Sequence, residues 1–252
     1  MLNSPAPNSP QNPRLSVVIS VKDEAENIAP LVVEIEAALK EPFELIFVDD
    51  GSTDDTLVQL NAVAATRPHV RILRHAKACG KSAGVNTGAW AATGEILLLL
   101  DGDGQNNPIY LPQLLRLLDE GGARVGMAQG ERQGRKDTVF KRIQSRIANG
   151  VRRGLLQDGT KDTGCGLKVV RRELYLRLPV FDGLHRFTPA LVAREGYGIV
   201  TCPVVDRPRW HGKSKYGFFD RLWVGIADLL GVWWLIRRRR VPELVEVDPN
   251  AR

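Results

Sequence analysis

Cysteine is scarce in this 252-residue chain: Cys79, Cys165 and Cys202 are scattered, with no spacing suited to a metal or a disulfide framework. That excludes a disulfide-stapled scaffold and suits a reducing compartment. After the first apolar run there is no Gly-x-Gly-x-x-Gly; Ser20-Val21-Lys22-Asp23-Glu24 stands there instead, which argues against NAD and FAD. No Gly-x-x-x-x-Gly-Lys-Ser/Thr occurs either, although Gly80-Lys81-Ser82 is superficially like its end. There is no internal repeat. Residues 1–14, with Pro5, Pro7, Pro10 and Pro13 among Asn and Ser, cannot bury apolar surface and are expected to form a disordered tail. They also lack the apolar stretch of a signal peptide, so secretion is not expected.

What is present fits one large soluble domain. Hydrophobic residues make up 43% and charged residues 25%, ordinary for a globular chain long enough to bury a sizeable core. The net charge of +6 is local: eight Arg/Lys face two acids between Glu131 and Arg153, and Arg237, Arg238, Arg239 and Arg240 are consecutive. Such asymmetry points to an anionic partner.

Strand-like runs at 15–21, 43–48, 70–73, 95–100 and 124–128 alternate with helical patterns at 25–40, 56–66, 82–92, 108–120 and 138–156. The alternation predicts an α/β fold, a mostly parallel central sheet with helices on both faces. Further strands are expected at 164–170 and 199–204, and a short helix at 186–195. Polar corners interrupt the pattern at 20–27, 49–55 and 101–107, each where a strand ends. Crossover handedness brings them to one edge, the position where open α/β sheets bind ligands. At the last corner five apolar residues, 96–100, run into Asp101, Asp103 and Gln105 at alternate positions. Hard oxygen ligands there select Mg²⁺ or Mn²⁺, ions that usually accompany diphosphates. At the second, an Asp-Asp-Gly-Ser turn offers a carboxylate to a base or ribose, while Asp54 reads as a local cap of the next helix.

Five words in order carry a resemblance: Asp-Asp-Gly-Ser-x-Asp at 49–54; Gly-Lys-Ser-x-Gly at 80–84 with Asn86 and Gly88; Asp-x-Asp-x-Gln at 101–105; Asp162-x-Gly164-Cys165-Gly166-Leu167-Lys168; and Arg209-x-His211-Gly212-Lys213-Ser214-Lys215-Tyr216. Over residues 15–216 the chain resembles the family 2 nucleotide-sugar glycosyltransferases of GT-A fold, in the branch of dolichol-phosphate mannosyltransferases and bacterial polyprenyl-phosphate glycosyltransferases. The resemblance implies that Ser20, Glu24, Asp50, Lys81 and Asp101 bind a nucleotide-diphosphate sugar (GDP-mannose or a UDP-sugar). It also implies that Asp101, Asp103 and Gln105 hold the divalent ion. The first corner departs from the family's Pro-x-Tyr-Asn-Glu and lacks its aromatic residue.

On a helix over 138–156, Arg142, Ser145, Arg146, Asn149 and Arg153 share one face, and Phe140, Ile143, Ile147 and Val151 the other. Guanidinium groups interleaved with hydrogen bonders suit phosphate oxygens. The resemblance places an acceptor phosphate at this stretch, with Arg209, Lys213 and Lys215 closing over it. A phosphate monoester is already anionic at neutral pH. Inversion is therefore expected with no general base, and Asp162 is the fallback base if the acceptor is a saccharide or lipid hydroxyl.

Residues 217–240 predict a C-terminal amphipathic helix with Phe219, Leu222, Trp223, Ile226, Leu230 and Trp233 on its apolar face, and Arg221 and Asp228 opposite; 241–252 form a tail. Its apolar run of fifteen residues would rise about 22 Å, short of the roughly 30 Å of a hydrocarbon core. With four arginines at its end, it suits an anionic interface, and peripheral attachment to the cytoplasmic face of a membrane is expected. Two other classes fit less well. A haloacid-dehalogenase-type phosphatase carries its Asp-x-Asp on the first strand rather than the fourth. A basic nucleic-acid module would be repelled by three acidic corners, so no nucleic-acid partner is expected.

Overall fold

The computed structural model describes residues 13–133, 159–210 and 218–240, with 150, 152 and 154–156, and only the backbone of 218–223. Arg142, Ser145, Arg146, Lys213 and Lys215 therefore lie outside the described residues, as does most of the basic helix expected over 138–156.

The chain alternates as its apolar periodicity requires: β1 (Leu15–Val21), α1 (Ala25–Ala38), β2 (Phe43–Asp49), α2 (Thr56–Ala64), β3 (Val70–Arg74), α3 (Lys81–Ala91) and β4 (Ile96–Asp101). There follow α4 (Leu111–Glu120), β5 (Val125–Arg132), β6 (Lys168–Arg171), α5 (Arg172–Leu176), α6 (Leu184–Arg194), β7 (Gly198–Val204) and α7 (Phe218–Arg238). The sheet order is β3-β2-β1-β4-β6-β5-β7. Every neighbouring pair is parallel except the two made by β6, which runs against both β4 and β5.

Because side chains alternate across a strand, β1 feeds two cores. Leu15, Val17, Ile19 and Val21 join α1, α2 and α4 on one face. Val18 joins Val85 and Ala89 of α3, Leu191 of α6 and Val232 of α7 on the other. The helix α3 lies unusually close to β1. A Cβ at Gly84 would overlap the Ser20 hydroxyl, and one at Gly88 would overlap Val18. Those glycines set how far the Gly-Lys-Ser corner reaches over the sheet edge.

The sheet's opposite edge is tied by Glu44, which is 6% exposed. Its carboxylate accepts from Ser16 Oγ (2.7 Å), Thr93 N (2.6 Å), Thr93 Oγ1 (2.7 Å) and Arg71 Nη1 (2.6 Å). Burial opposes its charge, but these four donors hold the carboxyl below its ordinary range. Glu44→Ala would leave buried donors without an acceptor, and a loss of about 3 kcal/mol is expected. Urea unfolding at pH 7 measures it.

Three sequence expectations need correction. The strand expected over 164–170 is only β6, because 164–167 is drawn down as a loop onto β4. The helix expected from 108 begins as a 3-10 turn, Pro108–Tyr110, because Pro112 in the first turn of α4 restarts the helix. On α7, Asp228 faces inward: a Cβ at Gly183, before α6, would lie 2.7 Å from its Oδ2. Val232 is buried instead, whereas Ile226 and Leu230 are exposed.

Candidate active site

Six parallel strands end at one sheet edge, where the three acidic corners meet. The loop entering the reversed strand β6 reaches the same edge, since Lys168 pairs with Leu99 near the end of β4.

At the β4 corner, Asp103 is buried and Asp101 half-buried. Lys81, the first residue of α3, makes a short ion pair with Asp101. Burial disfavours the Asp101 charge, yet Lys81, with Lys168 behind it, holds the carboxyl below its usual range. Asp103 shifts the other way. Burial, and then the negative charge of Asp101, raise it, against the Gln105 N–H (3.1 Å to Oδ1) and Arg209 (2.7 Å to Oδ2). Two carboxylates whose charges oppose each other form a hard-oxygen set that a divalent cation would relieve. The residues present therefore fit Mg²⁺ or Mn²⁺.

The turn is held from beneath. Buried Asn106 accepts the Asp101 N–H (3.1 Å). Gly166 packs so tightly that a Cβ would come within 2.5 Å of Asp101 Cγ and Oδ2.

Asp50, 4% exposed, spends its oxygens on its own chain. Oδ1 accepts from Cys79 N (2.7 Å) and meets His75 Nδ1 (2.7 Å), and Oδ2 accepts from Gly80 N (2.8 Å). Burial acts to raise its carboxyl, but these bonds together leave it lowered. Asp50 thus shapes the loop that leads into Lys81. Asp50, His75 and Cys79 place their ligand atoms within 4.8 Å, but an ion there would compete with the hydrogen bonds already made. Ser20 lies under Gly84. Glu24 accepts from Asn27 Nδ2 (2.5 Å) and lies 3.8 Å from Arg209 Nη1. Asp54 accepts the Thr56 N–H at the start of α2 (3.0 Å), the local role its spacing suggested.

Two further site candidates make ion pairs within the chain. Arg209, grouped in the sequence with acceptor-phosphate residues, sits on Asp103 beside Glu24. Asp162, the fallback base, accepts from Arg132 Nε and Nη2 at 2.7 Å each, so both its oxygens are committed to an ion pair.

Sequence reasoning gave no role to Lys168, Ser82 or His185. Burial lowers the Lys168 ammonium to about 8; its Nζ donates to the carbonyl of Cys165. A lysine inside an apolar strand run was the available signal. His185 Nδ1 lies 2.8 Å from Ser82 Oγ, and nothing in the local sequence of α6 marks it. Burial first, then Lys81 and Lys168, push its imidazole down to about 3. Between about 3 and 6.5 the unfolded chain binds a proton here that the folded chain does not. Stability from this group is therefore complete above 6.5 and is lost as pH falls, at up to about 1.4 kcal/mol per pH unit. His185→Asn keeps an acceptor for Ser82, and its urea midpoint is expected to fall less than the wild type's between pH 6.5 and 4.5.

The mostly parallel sheet with its acidic rim is a GT-A glycosyltransferase fold, as comparison with solved structures shows. A mannosyltransferase from Pyrobaculum calidifontis, solved with GDP-Man and Mn²⁺, superposes with TM-score 0.63 at 25% identity, covering 95% of this chain and 69% of that one. Glucosyl-3-phosphoglycerate synthase from Mycobacterium tuberculosis, solved with Mn²⁺ and UDP, shares the fold (TM-score 0.64, 20% identity, 89% of this chain and 80% of that one). The description "Glycosyl transferase family 2" matches residues 16–178, and the chain belongs to that family. Its curated relatives include polyprenyl-phosphate glycosyltransferases. A dodecaprenyl-phosphate galacturonate synthase of Rhizobium johnstonii is 33% identical over 92% of this chain and 70% of its own length. An undecaprenyl-phosphate 4-deoxy-4-formamido-L-arabinose transferase of Klebsiella pneumoniae is 31% identical over 81% of this chain, which spans 63% of that relative.

Proposed function

We propose that the protein is an inverting, metal-dependent hexosyltransferase that moves a sugar from a GDP- or UDP-sugar to a polyprenyl phosphate at an anionic membrane surface. The observation that carries this reading is the Asp101/Asp103 corner, met by Lys81 at the edge where six strands end. Mg²⁺ or Mn²⁺, held by Asp101, Asp103 and Gln105, would supply Lewis-acid stabilisation of the leaving nucleoside diphosphate. Lys81 adds a fixed positive charge beside that group. Ser20, Glu24 and the loop shaped by Asp50 form the nucleotide side. Arg142, Ser145, Arg146, Lys213 and Lys215 are proposed for the acceptor phosphate.

An acceptor phosphate oxygen attacks the anomeric carbon as the bond from that carbon to the donor's diphosphate oxygen breaks, and the diphosphate leaves with the electron pair. The nucleophile carries no proton, so no side chain needs to remove one, in keeping with Asp162 being paired. The test is transfer from UDP- and GDP-sugars with Mg²⁺ or Mn²⁺, with and without polyprenyl phosphate. Donor turnover stimulated by the lipid supports the acceptor class; equal rates without it reject that class.

Attachment to the membrane is assigned to α7. No helix among the described residues is long and apolar enough to cross a membrane. Val232 fixes one side of α7 to the domain, while Ile226, Leu230 and Trp234 form an exposed stripe (41%, 54% and 54%) that ends in the arginine run. The Arg238 guanidinium lies over the Trp234 ring at 5.8 Å, next to the apolar face. Such a stripe suits the boundary of an anionic lipid layer on the cytoplasmic side. The double variant Leu230→Glu/Trp234→Glu is expected to lose at least tenfold in co-sedimentation with phosphatidylglycerol vesicles and to keep its melting temperature.

A further inference from the structure

The segment after β7 straps the acidic corner. The Arg207 N–H donates to the Gln105 carbonyl (3.0 Å), and its guanidinium meets both Glu34 oxygens at 2.7 Å. The same guanidinium lies 4.6 Å over the Trp210 ring, which packs on Gly104 so closely that no Cβ fits there. Between these anchors stands Arg209, with Nη2 2.7 Å from Asp103 Oδ2 and Nη1 3.8 Å from Glu24 Oε1. Lys81 occupies Asp101 in the same manner. Each carboxylate of the Asp-x-Asp word thus already carries a cation from its own chain.

We propose that Arg209 is an internal counter-ion that competes with the divalent cation for Asp103, so that the free protein holds the ion weakly and takes it up together with the donor. This rests on reading Asp101 and Asp103 as the ion-holding pair. An Asp103 oxygen in a charge-assisted bond to a guanidinium is a weaker ligand for a dication, and two cations on one carboxylate repel each other. Ion binding therefore works against the Arg209 contact, and the guanidinium is the partner free to leave. In the absence of a donor, the displaced guanidinium keeps only Glu24 beside it and otherwise gains water. A nucleoside diphosphate offers it phosphate oxygens, to which its planar fork is matched. Ion and donor consequently bind with positive coupling, and each raises the affinity of the other by the same factor. The anchors at Arg207 and Trp210 leave the strap in place while the Arg209 side chain changes partner.

The experiment measures Mn²⁺ alone, without donor, as free Mn²⁺ by electron paramagnetic resonance. Wild type is compared with Arg209→Gln, Arg209→Lys and Asp103→Asn. Arg209→Gln is expected to bind Mn²⁺ about tenfold more tightly than wild type, and Arg209→Lys, which keeps the charge, to stay near wild type. Equal affinity in wild type and Arg209→Gln, with binding lost in Asp103→Asn, overturns the competition and leaves the ion site standing. Binding indifferent to Asp103→Asn overturns the ion site itself. A second readout needs no variant. In ¹⁵N-labelled wild type, the Arg209 Nε resonance is expected to move in step with Mg²⁺ occupancy, and a resonance unmoved at saturation refutes displacement.

Discussion

Asp103→Ala is expected to lower metal-dependent sugar transfer by about three orders of magnitude while leaving the melting temperature unchanged or slightly raised. The first part follows from the ion. Removing one of two carboxylates that hold a divalent cation forfeits several kcal/mol of charge stabilisation on the leaving diphosphate, and about 4 kcal/mol corresponds to a thousandfold. The second part follows from local electrostatics. Burial and the charge of Asp101 raise the Asp103 carboxyl, and the Gln105 N–H, Arg209 and Lys81 together do not offset them. Deleting the Asp103 carboxylate removes a repulsion, so the fold does not suffer. Steady-state turnover with Mn²⁺ and a calorimetric scan test the two halves separately. Turnover within tenfold of wild type would refute the role of Asp103.

Gly166→Ala is expected to cost about a hundredfold in turnover through a single methyl group. The added carbon would stand within 2.5 Å of the Asp101 carboxylate, which cannot remain where it is. A shift on the order of 1 Å at a positioned group carries a penalty of that size. Lys81, paired with Asp101, would move with it. Because 164–167 is a loop, most of the strain falls on the corner rather than the core, and far-UV circular dichroism is expected to match wild type. Gly150→Ala, where a Cβ meets nothing within 4 Å, is the control.

Much of this site is legible in the chain. The strands expected at 15–21, 43–48, 70–73 and 95–100 match β1 to β4 to within a residue at either end, because fully apolar runs bounded by polar corners admit few other readings. The gathering of the corners follows from handedness alone. What escaped depended on contacts between distant residues. No local pattern says that β6 is reversed; its direction is fixed by pairing with Leu97 and Leu98 some seventy positions earlier. Nothing near Asp162 in the sequence announces its ion pair with Arg132, which comes from β5. His185 is one histidine at the start of a helix until Ser82, 103 residues away, meets its ring. On α7 the apolar spacing implied one buried face, but the helix packs through Val232, and so part of that face is turned outward.

The single reversed strand has a consequence for how this fold diversifies. Four of the strands that end at the rim, β1 to β4, each continue into a helix that returns the chain. The loop preceding β6 has no such duty: it touches Asp101 through Gly166 and only then enters the sheet. Its length and composition are therefore uncoupled from the strands that carry the acids. If the acceptor phosphate binds as proposed, exchange of residues 133–163 between relatives, with Gly164 to Lys168 kept, is expected to change acceptor preference and leave donor turnover intact.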